Sequence, residues 1–188
     1  GEGMEFSEVI TSRRSIRKFS DADVENEKIY RLLDAARLAP SAKNRQPWRF
    51  GILRGEKKNQ IAAMMLAWNE QNNVTEMQKS GIPSSVAFTA KAIQEAPVLI
   101  LIFREKSECW RNGDLLSIGA AIEHICLAAT DNGLGSLWIR DTYCVQSEIA
   151  ALADAGSLEL VSAVAVGYAN QHPYPRPRAA LKSLILFE

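Results

Sequence analysis

Val98-Leu99-Ile100-Leu101-Ile102-Phe103 is an unbroken run of six apolar residues in which every second one is β-branched. A strand with one face in water alternates apolar and polar residues, whereas a strand covered on both faces does not. The run therefore predicts a strand in the middle of a sheet. After a loop from Arg104 to Gly113, the stretch from Asp114 to Asp131 is apolar or small nearly all round, as a surface helix cannot be. It is expected to be a core helix, a subunit interface, or both.

Outward from these two elements the patterns mix. Ile29, Leu32, Leu33 and Ala36 recur at helical spacing between Glu25 and Leu38, and Pro40 follows where a helix stops. Trp48, Phe50 and Ile52 alternate with Arg49, Gly51 and Leu53, the period of a strand with one better-buried face, so Pro40 to Pro47 is a helix-to-strand loop. Helical composition runs from Glu56 to Gln94, with a break at Gly81 and Pro83. Gly133 and Gly135 lead into a short strand, Ser136 to Ile139, then a helix near Val145 to Ala153 and a strand from Leu160 to Val166. Helices and strands neither alternate strictly nor segregate. The expected fold is α+β, a sandwich of helices over a small mixed or antiparallel sheet, rather than a doubly wound sheet.

The 188 residues suit a single domain, residues 1–188, burying about 70% of its unfolded surface. Gly1 to Gly3, ahead of Met4, read as a remnant outside the pattern. With 22 basic and 22 acidic side chains there is no global attraction to nucleic acid. Apolar stretches are too short, or too interrupted by Ser117, Glu123 and His124, to span a bilayer. Cys109, Cys126 and Cys144 lack metal-ligand or redox-pair spacing and read as reduced thiols in a cytoplasmic protein with no metal site.

Against that neutral background, Arg13-Arg14-Ser15-Ile16-Arg17-Lys18-Phe19 concentrates four positive charges. Guanidinium forks suit a phosphate dianion, and each charge-assisted hydrogen bond contributes about 1.5 to 3 kcal/mol. A solvated basic turn is the alternative reading of the heptapeptide. A second basic pair, Arg176 and Arg178, lies in a segment stiffened by Pro173, Pro175 and Pro177, so an extended arm over 168–188 is expected. Its apolar end, Leu184 to Phe187, needs a surface to pack on, in its own subunit or in another.

The basic block, together with Ala39-Pro40-Ser41-Ala42-Lys43-Asn44-Arg45-Gln46-Pro47-Trp48 and with Val166-Gly167-Tyr168 followed by Pro175-Arg176-Pro177-Arg178, resembles the FMN-dependent nitroreductase family in content, order and separation. The resemblance covers essentially the whole chain. It implies the nitroreductase-like sandwich and an intertwined homodimer with exchanged carboxy-terminal arms and FMN sites lined by both subunits. Arg13 and Ser15 match residues that grip the FMN phosphate, with Arg14 beside them, and Arg176 and Arg178 match residues that close on it. Arg17 matches a cation at the pyrimidine edge of the flavin, where reduction places negative charge. Ser41, Ala42 and Asn44 match the loop the neighbouring subunit lends to the flavin, and Lys91 matches a second cation near it. The strand end at Ile139 and Arg140 departs from the pattern. Many relatives have a glycine there whose amide faces flavin N5, and here the amides of Arg140 and Asp141 are the candidates. The two side chains either bear on the substrate face or point to solvent.

The activity implied is electron transfer from NADH or NADPH to a nitroaromatic, a quinone or a similar small acceptor by a ping-pong mechanism. No catalytic side chain is assigned, because the cofactor carries the chemistry. A noncatalytic flavin-binding sensor and a flavin-fragmenting relative are the alternatives. The dehalogenating branch is disfavoured by the absence of tyrosine between Glu56 and Glu95. His124 and His172 read as structural or solvated.

Overall fold

A computed structural model describes residues 3–80 and 85–187. Four strands form one antiparallel sheet in the order β1-β2-β4-β3: β1 Trp48–Leu53, β2 Val98–Glu105, β3 Gly135–Ile139 and β4 Leu158–Gly167. The apolar run is central, with Ile100 opposite Ile52 on β1 and opposite Val164 on β4. Its alternate residues explain why the run has no polar member. Leu99, Leu101 and Phe103 join one core, and Val98, Ile100 and Ile102 join the other.

Helices cover both faces, giving the expected α+β sandwich. On one face lie α3 (Gly55–Ser80) and α4 (Ser85–Glu95), through Ile61, Met65, Ala90 and Ile93. On the other lie α2 (Asn26–Arg37) and α5 (Arg111–Asp131), through Ile29, Leu32, Ile118, Ile122 and Ile125. Each of these isoleucine, leucine and methionine side chains contributes about 1.5 to 3 kcal/mol by leaving water. The break expected at Gly81 and Pro83 lies outside the described residues. Although α5 is long and apolar enough by composition to cross a membrane, Ile118, Ile122, Ile125 and Ala129 bury one side of it in the core shared with α2 and the sheet. A short α1 (Phe6–Ser12) precedes the basic block, α6 (Gln146–Leu152) precedes β4, and α7 (Leu181–Leu184) interrupts an exposed tail.

Two boundaries and one burial pattern differ from expectation for physical reasons. β2 runs on through Arg104, which is fully buried because its Nε donates to Glu159 Oε2 at 2.8 Å and its Nη1 to the carbonyls of Glu105 and Ser107. Asp114 of α5 stands 3.7 Å away. A charge with that many partners is tolerated in a strand interior. Accordingly, α5 starts at Arg111, within the expected loop, and Arg111 Nη1 reaches Glu159 Oε1 at 3.0 Å. On β1 the expected better-buried face fades along the strand. Trp48 is buried, Phe50 half-buried and Ile52 exposed, because this is an edge strand with little beyond α2 to cover it.

Candidate functional site

Two glycines let the basic block sit against the sheet. Ser15 bridges Ser136 at the start of β3, with Ile16 N–H donating to the Ser136 carbonyl at 2.9 Å, and Phe19 bridges Ala169 beyond the end of β4. Ile16 and Phe19 are buried, which leaves Ser15 and Arg17 outside. A Cβ on Gly135 would lie 2.9 Å from Ile16 Cγ1, and one on Gly167 would lie 2.5 Å from Pro97 Cδ and 2.9 Å from Phe19 Cδ1. Local sequence thus fixes the block as an extended strip, with apolar anchors inward and cations outward.

The tail returns to this strip. Gln171 Oε1 accepts the Arg17 backbone N–H at 2.9 Å, and Asn170 N–H donates to the Lys18 carbonyl at 2.9 Å. Upstream, Tyr168 pins the start of the tail to α2: its hydroxyl accepts from Lys28 Nζ and donates to Glu25 Oε2, both at 2.9 Å. The backbone at Glu25 itself, then this hydroxyl, hold the Glu25 carboxyl below its ordinary pKa. The outcome is a cleft of about 750 Å³ that gathers Arg13, Arg14, Ser15 and Arg17 with Arg176 and Arg178.

The charges in this cleft are poorly compensated. Arg13 Nε has Glu123 Oε1 of α5 at 3.6 Å, a long pair. Arg14 Nη1 donates only to the carbonyls of Thr11 and Arg13, and Arg178 Nη1 only to those of Arg176 and Pro177. Among the described residues no carboxylate pairs with Arg14, Arg17, Arg176 or Arg178. Guanidinium groups converging with so little compensation suit an anion, and the volume of the cleft suits a ligand larger than phosphate. Gln171, Tyr174 and Glu123 belong to this neighbourhood too. Only Glu123 carried a signal in the sequence, as a charge interrupting the apolar helix.

Ser41, Ala42 and Asn44 are not brought to this cleft. They occupy the loop before β1, at the opposite edge of the sheet from β3, three strand spacings or about 14 Å across. The loop is strained. Lys43, Asn44 and Gln46 have φ of 55°, 52° and 50°, in the left-handed region that side chains rarely adopt. Several bonds over-determine it. Ser41 Oγ accepts the Gln46 N–H at 3.0 Å, Ala42 N–H donates to Ser117 Oγ at 3.1 Å, and Arg45 Nε pairs with the buried Asp114 at 3.0 Å while stacking on Trp110. Asp114, first by this hydrogen bond, pushes the Arg45 pKa up.

Lys91 stands exposed on α4, outside the cleft. Ile139 is buried as the last residue of β3. Arg140 is exposed, with its guanidinium 5.6 Å from the centre of the Tyr143 ring. Asp141, in contrast, does not point to solvent. It is buried, and its Oδ2 accepts from Ser85 Oγ at 2.7 Å and Thr89 Oγ1 at 2.8 Å, which ties the turn after β3 to α4. The two histidines stay outside the cleft; His124 Nδ1 contacts the Ala35 carbonyl at 2.9 Å.

Comparison with known proteins gives this arrangement a context. A protein of Archaeoglobus fulgidus with the provisional name NADH dehydrogenase/NAD(P)H nitroreductase is 29% identical over 85% of this chain and 83% of its own. An iodotyrosine deiodinase of Thermotoga neapolitana is 33% identical over 66% of this chain and 68% of its own. A provisionally named nitroreductase of Desulfovibrio desulfuricans, crystallised in complex with FMN, superposes with a TM-score of 0.78 at 26% identity, over 100% of this chain and 98% of that one. The Nitroreductase family profile matches residues 10–168, and this chain belongs to that family.

Proposed function

We propose that this protein binds FMN and passes electrons from NADH or NADPH to a nitroaromatic, a quinone or a similar small acceptor in a ping-pong sequence. The observation that carries the proposal is the cleft. Two basic clusters about 160 residues apart converge there with only the long Arg13–Glu123 pair among the described residues to offset them, in a chain whose solved relative holds FMN. Bound FMN would supply the redox chemistry, accepting hydride and releasing two electrons.

Everything else falls to the chain. Arg13, Ser15, Arg176 and Arg178 hold the phosphate, and Arg14 supports them by tying the end of α1 to the block. Arg17, its backbone fixed by Gln171, supplies a cation to the electron-rich edge of the flavin. Along β3 the carbonyl of Ser136 faces outward, to Ile16, and by the alternation of a strand the backbone of Trp138 faces the same way. That free edge leads to Ile139 and the amide of Arg140, which would lie along the flavin. Lys91 is a second candidate cation, contributed from α4.

A homodimer completes the site. The strained Ser41, Ala42 and Asn44 loop is on the far edge of its own sheet, so it reaches a flavin only in a second copy, and a two-fold arrangement makes two equivalent sites. The exposed Leu181, Leu184, Leu186 and Phe187 of the tail would pack on that partner.

Anaerobic stopped-flow reduction of the FMN-loaded protein by NADH and by NADPH tests the reading. Mixing with nitroaromatic, quinone, free-flavin and iodotyrosine acceptors follows. Bleaching followed by acceptor-dependent reoxidation is expected. Bound flavin that neither nicotinamide reduces would establish the noncatalytic sensor instead, and loss of the flavin itself on exposure to oxygen would establish the fragmenting activity.

A further inference from the structure

Arg140 follows directly on the last residue of β3, and its surroundings give it a purpose. It sits four residues beyond Ser136, or about 13 Å along the strand from the point where Ser15 is bridged. A flavin mononucleotide laid along β3 with its phosphate among the arginines brings its ring to this end. Here the Arg140 side chain is 83% exposed, and it is shelved on the exposed ring of Tyr143. The nearest carboxylate, Asp141, is 3.7 Å from Arg140 Nη2 and is buried behind the turn, where Oδ2 is taken by the hydroxyls of Ser85 and Thr89. The neighbouring Cys144 thiol is pushed up to about 11 by burial, then by Asp141, and so adds no second anion. Trp138, two residues earlier, is held by its Nε1 on Ser162 Oγ at 3.0 Å and stays partly exposed.

We propose that Arg140, with Tyr143 beside it, is a specificity determinant that makes this site prefer aromatic acceptors bearing a carboxylate or a comparable anionic group. The inference rests on the flavin-binding reading above. A planar guanidinium backed by an aromatic ring presents a fork to a carboxylate while the ring lies beside the acceptor. Asp141 is a positioning residue, since its two hydroxyl partners hold the turn that presents Arg140.

The test uses the oxidised FMN-loaded protein. Dissociation constants of 4-nitrobenzoate and of its methyl ester are read from perturbation of the visible flavin spectrum for wild type, Arg140→Gln and Arg140→Lys. The carboxylate-to-ester preference is expected to fall about tenfold in Arg140→Gln, as expected for loss of one partly screened charge-assisted bond, and to recover in part in Arg140→Lys. Equal ratios in wild type and Arg140→Gln overturn the proposal and do not touch the reading that the chain is a flavoprotein. A chain that takes up no FMN overturns both. A third arm compares reduction by NADPH and NADH. If Arg140→Gln shifts that ratio and not the acceptor ratio, the arginine reads the donor's extra phosphate, and the acceptor proposal falls.

Discussion

Replacing Gly135 by alanine tests how the sheet sets the anion site. The added Cβ would meet Ile16 Cγ1 at 2.9 Å and Ile16 Cβ and Cγ2 at 3.0 Å, against a favourable carbon–carbon separation of about 3.5 to 4.0 Å. Rotating Ile16 gives little relief, because its Cβ is one of the crowded atoms and its χ1 is stiff. The strip itself must lift. Overpacking of this kind costs about 1 to 3 kcal/mol, and the gain from restricting the unfolded chain returns only about 0.4 to 1 kcal/mol. At mid-range the overlap wins, with a net loss of up to about 2.6 kcal/mol, or up to about 10 °C in melting temperature at this chain length. Ile16 lies between Ser15 and Arg17, so FMN affinity should fall as well. Chemical denaturation at fixed protein concentration, on wild type, Gly135→Ala, Ile16→Ala and the double variant, measures the cycle. Ile16→Ala removes the two γ-carbon contacts and keeps the Cβ one, so if the clash is the cause the double variant is about 1 kcal/mol more stable than the sum of the single losses predicts. Additivity within about 0.5 kcal/mol would refute the reasoning.

Other perturbations address different parts of the molecule. Arg13→Ala, or Arg176→Ala with Arg178→Ala, should weaken FMN binding by fluorescence titration by about tenfold or more per lost charged contact, while the melting temperature of FMN-saturated protein moves little. Asp114→Ala strips the partner from Arg45 and leaves Arg104 with Glu159 as its one carboxylate, which should cost about 1 to 3 kcal/mol in denaturant unfolding and loosen the strained loop. Burial pushes Cys126, like Cys144, up to about 11, so at pH 8 each is only about 0.1% thiolate, and a thiol reagent followed by mass spectrometry should label the exposed Cys109 first. Because both folded values exceed the ordinary 9.0, the stabilisation from the neutral thiols is complete below pH 9 and is lost as pH rises from 9 to 11, which alkaline melting curves should register. Truncation after Gly167 should yield monomers or aggregates by light scattering on a sizing column, since it removes the apolar tail together with Arg176 and Arg178.

Much of this protein is legible in one dimension. The apolar run at Val98 to Phe103 reads as a central strand because alternation disappears only when both faces are covered, and the all-round apolar character from Asp114 to Asp131 reads as a core helix for the same reason. Caps and spacing locate α2 and β3 to within a residue or two. The charged cluster at 13–18 is visible because it breaks a neutral composition, and the resemblance of three separated motifs points to the family. Arg104 escaped, since nothing near it in the chain announces that Glu159 will lie 2.8 Å away, and a charged residue without a visible partner reads as a loop. Asp141 escaped likewise, because its hydroxyl partners come from a helix more than fifty residues earlier. Sequence by itself determined which residue types were available for an anion and which segments would be buried, because charge and hydrophobic period are local properties. Only the tertiary structure decided that the tail returns to the basic block, that the Ser41 to Asn44 loop is sent to the opposite edge, and that Arg140 faces outward while Asp141 turns in. Those outcomes depend on strand order, on the room left above Gly135 and Gly167, and on partners distant in the chain, none of which has a period or a composition to read.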